Sequence, residues 1–213
     1  MKKNRDTYIV AFDNGSSGCY TLISPKGEVV AFEHVPTYTE AKWTKPKKIK
    51  KVKRSGVVEI QEKQGHYTFI DHKLLQQSLA RKLTTLGSVV AYIERPAISY
   101  NMGWGIDTSL SGMCAWYAVT TVLRLLGIQY HTVDSREWQQ TMLTKYLQNQ
   151  PEPAQNAKGL SNKKNPQRNK NLKIASDRAV KELFPKIVLK NKDVGDGDSL
   201  IMALFYLRKL QGK

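Results

Sequence analysis

Apolar residues in this chain gather first into short runs separated by turn residues, and later into longer stretches with helical spacing. Thr7 to Phe12, Cys19 to Ile23 and Val29 to His34 read as strands, joined by NGSSG and SPKGE. Such short connections make the first third an antiparallel meander. GSSG joins two strands rather than a strand and a helix, so it reads as a hairpin turn and not a phosphate-cradling loop. After Pro36 the pattern dissolves into a polar stretch to about His66, where Val57 to Ile60 and His66 to Ile70 are expected to form a small hairpin.

From Asp71, Leu74, Leu75, Leu79, Leu83 and Leu86 suggest one apolar helical face that Gly87 can end. A strand over Ser88 to Ile93 follows, then a long apolar helix, Thr108 to Leu126, stopped by Gly127. Gln129 to Val133 is strand, while Ser135 to Leu147, Ile174 to Leu183 and Gly195 to Leu210 are helices. The predicted class is α/β, a mixed five-stranded sheet with the meander first and two later strands added in parallel through helical crossovers. No repeat and no internal boundary is visible, so residues 1–213 read as one domain with basic insertions at about 37–66 and 150–172.

The net charge of +16 narrows the partners, because such an excess attracts polyanions. Lys45 to Arg54, KPKKIKKVKR, holds seven basic residues in ten, including Lys47, Lys48, Lys50 and Lys51. A second run, Lys158 to Lys173, adds Lys163, Lys164, Arg168, Lys170 and Lys173 among Asn, Pro and Gly. Both read as phosphate-contacting segments. No basic amphipathic helix of the membrane-surface kind is visible, and no stretch approaches the ~18 apolar residues of a membrane span. MKKNRD leads directly into a strand, which argues against export. Cys19 and Cys114 fall in predicted core elements, as reduced apolar side chains in a cytoplasmic protein.

The candidate chemistry lies in carboxylates at element ends. Asp13 closes the run Tyr8 to Phe12 ahead of Asn14 and Gly15. Glu94 closes Val89 to Ile93 ahead of Arg95 and Pro96, and Asp198 stands at the start of the last helix. Three acids from distant segments can hold hard ions such as Mg²⁺ or Mn²⁺, which take oxygen ligands. Two such ions about 4 Å apart suit phosphodiester hydrolysis. Asp13 is the natural bridging ligand, with Glu94 and Asp198 each favouring one ion. Each acid also has a plainer reading as a turn former or helix cap. Near Asp198 the additional ligand is Asp196 first and Asp193 second.

These residues resemble the RuvC-type Holliday junction resolvases, and more closely the shorter forms found in bacteriophages and some organelles. YIVAFDNGSSG resembles the family's first strand with its catalytic Asp, and VVAYIERP the strand ending in the catalytic Glu. SLSGMCAWYAVTTVLRLLGIQYHTVDSREWQQTML resembles the long helix, the next strand and the following helix start. SDRAVKELFP and DGDSLIMALFYLRK resemble the two closing helices. The resemblance implies an RNase H-like fold, a homodimer, and Mg²⁺-dependent paired nicking of four-way DNA junctions, with Asp13, Glu94 and Asp198 as metal ligands. One departure stands: the family carries an Asp or His three, or an acid four, residues before the last acid, where this chain has Gly195 and Val194.

A basic dimer can hold a branched duplex by its phosphates, read by shape rather than sequence. Arg95 joins the lysines as a phosphate contact, and Tyr100 and Trp104 either wedge between base pairs at the junction centre or anchor a loop. The helix over 108–126 has more apolar residues than one core stripe needs, which points to a partner copy on its second face. Tyr38, Trp43 and His66 read as ordinary packing. Two other functions remain open: a flap, branched-DNA or RNA–DNA hybrid nuclease with the same site, and a non-catalytic basic DNA-binding protein.

Overall fold

The elements follow in the order β1 (Tyr8–Phe12), β2 (Cys19–Ile23), β3 (Val29–His34), β4 (Thr37–Ala41), β5 (Lys47–Val52), β6 (Val58–Lys63), β7 (His66–Ile70), α1 (His72–Leu83), β8 (Val89–Glu94), α2 (Ile106–Leu125), β9 (Gln129–Val133), α3 (Ser135–Leu147), α4 (Pro166–Leu183) and α5 (Asp198–Gln211). The computed structural model describes residues 6–13, 18–42, 47–52, 58–96, 106–147, 166–189 and 197–212, with the backbone alone for 47–52, 58–61, 63, 106–109 and 166–170. The main sheet has the order β3-β2-β1-β8-β9. β1 pairs antiparallel with β2, and β2 with β3, whereas β1 with β8 and β8 with β9 are parallel. The result is a mixed five-stranded sheet flanked by helices.

Strand periodicity explains the layers. In β1, Val10 and Phe12 enter one core with Leu75 and Leu79 of α1 and Val119 and Leu123 of α2. Ile9 and Ala11 enter the other, with Trp138 of α3, Ala179 of α4 and Leu200 and Ala203 of α5. Successive side chains point to opposite faces, so a strand apolar at every position must be covered on both sides. Phe12, Tyr20 and Trp138 are almost wholly buried, each contributing roughly 1.5–3 kcal/mol by leaving water. Gly127, at φ 68°, ends the turn after α2 in the left-handed region open to glycine.

The insertion after Pro36 pairs differently from the expectation. β7 pairs with β4 and β6 with β5, giving two nested two-stranded sheets instead of one hairpin between 57–60 and 66–70. Alternation alone could not show this, because the partners of β7 lie far upstream in a polar stretch. α1 stops at Leu83 rather than at Gly87, with Thr84 as its C-cap, whose backbone N–H and hydroxyl both donate to the Ala80 carbonyl. Its N-cap is Asp71, whose carboxylate accepts from the Leu74 N–H at 3.0 Å. Leu74 is 51% exposed and outside the core; Leu75 and Leu79 carry the buried face. Cys19 is buried as expected but Cys114 is exposed. α4 starts at Pro166, well before Ile174, where a proline costs no hydrogen bond. α5 starts at Asp198 rather than Gly195.

Candidate active site

Asp13 and Glu94 reach the same face of the sheet by alternation. Asp13 continues the side of Ile9 and Ala11, and Glu94 continues the side of Tyr92, both facing the core that α5 covers. The ladder persists to both acids: the Asp13 N–H donates to the Cys19 carbonyl at 3.1 Å, and the Arg95 N–H to that of Val133 at 2.7 Å. The two carboxyls share a hydrogen bond, and Glu94 has a second with Ser135 at the start of α3. A hydrogen bond between two carboxyls requires a proton held between them.

Asp198 arrives from across the sheet. Thr21 of β2 and Ser199 of α5 share a buried hydrogen bond of 2.8 Å, worth about 1 kcal/mol, which docks the helix start on the strands. Ser176 of α4 donates to Asp198 Oδ1 at 2.5 Å. Between them Gly197 leaves room for α4: a Cβ there would lie 2.5 Å from Cγ2 of Val180. Gly197→Ala is therefore expected to push the α5 start off α4, costing roughly 1–3 kcal/mol and slowing any chemistry that uses Asp198. Val180→Ala should recover much of both in the double variant; urea unfolding of all four members of the cycle checks this, and strict additivity would refute the contact.

The acids are unfavourable to one another. Burial pushes the Asp198 carboxyl up to about 7, and the charge of Asp13 adds to it, against the Ser176 hydrogen bond and the charge of Lys173. Asp177 pushes the same way as Asp13. Burial also raises Glu94, with the charges of Asp198 and Asp134 adding, although the hydrogen bonds to Asp13 and Ser135 oppose it. Among the described residues, the hydrogen bonds of Ser135 and Ser176 and the charge of Lys173 oppose this crowding of carboxyls. The helix starts at Ser135 and Asp198 also aim their N–H-rich ends toward this region.

Among the described residues no group of three or more His, Cys, Asp or Glu side chains is placed to hold a metal ion as they stand. The donor chemistry nevertheless fits a hard divalent cation, because all donors are carboxyl oxygens. Asp196 and Asp193 lie outside the described residues, as do Tyr100, Trp104, Lys163 and Lys164. Arg95 and Lys173 are exposed, the latter on α4 beside Asp198. Lys47, Lys48, Lys50 and Lys51 lie along β5 and Lys170 on α4.

Three residues near the acids escaped the sequence reading. Ser135 is at a helix start, and Ser176 and Asp177 follow Lys173 at helical spacing. The interval of three and four from Lys173 was a usable signal, because these positions share one helix face. Nothing in the sequence tells which neighbour that face meets.

No family model and no curated protein sequence matches the chain. Among solved structures it is similar to RuvC of Thermus thermophilus, at 11% identity and a TM-score of 0.43, over 96% of this chain and 96% of that one.

Proposed function

We propose that this protein is a structure-selective endodeoxyribonuclease that resolves four-way DNA junctions by paired nicks, as a dimer of one nuclease domain per chain. The observation that carries the reading is the electrostatic interaction of Asp13, Glu94 and Asp198, which come from three distant elements, in a chain of net charge +16. Asp13, Glu94 and Asp198, with Asp196 or else Asp193, would hold Mg²⁺ or Mn²⁺. Bound there, such ions supply an activated water and stabilise the leaving oxygen of an in-line displacement.

The chain's own residues do the positioning. Ser176 holds the Asp198 carboxyl, and Ser135 holds that of Glu94. Exposed Lys173, beside Asp198, offers positive charge to a phosphate that would otherwise meet carboxylates. Cleavage of a panel comprising four-way junction, flap, linear duplex and RNA–DNA hybrid tests the substrate. The junction should be cut fastest with symmetric nicks; a preference for the linear hybrid would overturn the resolvase reading in favour of a hybrid nuclease.

Support for the dimer comes from α2. Leu110, Cys114, Tyr117, Thr121 and Arg124 are all exposed, at intervals alternating four and three, the spacing of a helix–helix seam. Leu110 is 55% and Tyr117 59% exposed, so a second copy would cover substantial apolar area. Paired Leu110→Asp and Tyr117→Asp changes should give monomers by sedimentation and uncouple the two nicks. An unchanged dimer would place the interface elsewhere.

A further inference from the structure

The aromatic residues of the insertion sit where core packing does not explain them. Tyr38 of β4 pairs with Phe69 of β7, and Glu40 with Tyr67, so these four side chains share one face of the two-stranded sheet. The alternate position Ile70 is 5% exposed in the core with α1 and α2, so the aromatic face turns away from it. None of Tyr38, Tyr67 and Phe69 packs into either core cluster. They touch each other instead, with ring centroids 5.6 Å apart for Tyr38 and Phe69 and 6.1 Å for Tyr67 and Phe69. Tyr38 remains 43% exposed.

Positive charge borders this row. Lys42 Nζ lies 4.6 Å from the centre of the Tyr67 ring, a cation–π arrangement. The lysine stem runs over Gly65, where a Cβ would come within 2.9 Å of its Cδ. Beyond Lys42 the chain enters β5, within the run Lys45 to Arg54 that has seven basic residues in ten. Exposed Glu40 is the acid on the same face, across from Tyr67.

We propose that the outward face of β4 and β7 is a stacking platform for the unpaired bases of a single DNA strand. Tyr38, Phe69 and Tyr67 offer successive rings to bases, and Lys42 meets the phosphates. Charge complementarity selects this occupant: a polyanion with exposed π-faces suits aromatic rings bordered by Lys42 in a chain of net charge +16. The site does not depend on Asp13, Glu94 or Asp198, so it stands or falls separately from the nuclease reading.

The test is fluorescence anisotropy in EDTA, with a labelled oligothymidylate of about 16 nucleotides and a blunt duplex of equal length. Tyr38→Ala and Phe69→Ala should each weaken oligothymidylate binding about tenfold, with the dependence on salt unchanged because no phosphate contact is lost. Tyr38→Phe should bind as the wild type, while Lys42→Gln should flatten the salt dependence. Phe69→Leu keeps an apolar side chain between its neighbours, so a loss of affinity with an unchanged unfolding midpoint separates stacking from packing. Wild-type affinity in Tyr38→Ala and Phe69→Leu would overturn the proposal, as would an equal loss on duplex and single strand.

Discussion

Asp13→Asn is expected to lower the single-turnover rate of junction cleavage in Mg²⁺ by roughly a thousandfold or more, while leaving junction affinity equal or tighter. The size follows from charge: a bound cation contributes several kilocalories per mole at the transition state, and about 4 kcal/mol corresponds to three orders of magnitude. The direction of the binding change follows as well, since a carboxylate facing phosphate is replaced by a neutral amide of the same shape. Cleavage assayed beside anisotropy in Ca²⁺ reads both quantities on one preparation. A variant that cuts at the wild-type rate would reduce Asp13 to a turn residue. Loss of binding with loss of cutting would show a folding defect instead.

The second large effect concerns stability and has the opposite flavour. Asp198 has an ordinary pKa of 3.8 and a folded value of about 7. Between these values the folded state binds more protons than the unfolded one, so stability falls as pH rises through the window. Its contribution is fully present below pH 3.8 and gone above about 7. A shift of this size corresponds to at most roughly 4 kcal/mol. Asp198→Asn keeps an oxygen for the Ser176 hydroxyl and carries no charge. In EDTA at pH 8 it should therefore be more stable than the wild type in urea, with the difference shrinking as pH approaches 4. Divalent cation should stabilise the wild type and not the variant, by mass action on the folded state. Equal midpoints at pH 8 would remove the charge conflict from the account of this site.

The elements legible in the sequence were those whose pattern is local. β1, β2, β3 and β9 are continuous or alternating apolar runs between turn residues, and α3 appears at its expected bounds. The convergence of Asp13 and Glu94 was readable for the same reason, because period two fixes the face on which a strand residue emerges. What was illegible depends on contacts between distant segments. β4 finds β7 across the whole basic insertion, and no pattern in TYTEA announces its partner. Leu74 and Leu75 both fit the apolar face that the spacing suggests, yet only Leu75 is buried, in the core shared with α2, while Leu74 is 51% exposed. In α2 nearly every residue is apolar or small, so the sequence could not tell that Cys114 faces outward. Gly197 and Ser176 were invisible as site residues: their roles exist only where α4 and α5 touch.

The hydrogen bond between Thr21 and Ser199 joins residues 178 positions apart. Contacts of such separation close late, since the loop entropy must be met before the contact repays it. The meander and the parallel strands can form while α5 is still detached, and the basic surface exists from that point. On the proposed function, a chain with α5 detached would keep its basic insertions while lacking Asp198. On that reading, gentle denaturation that frees α5 should therefore silence cleavage before it releases DNA.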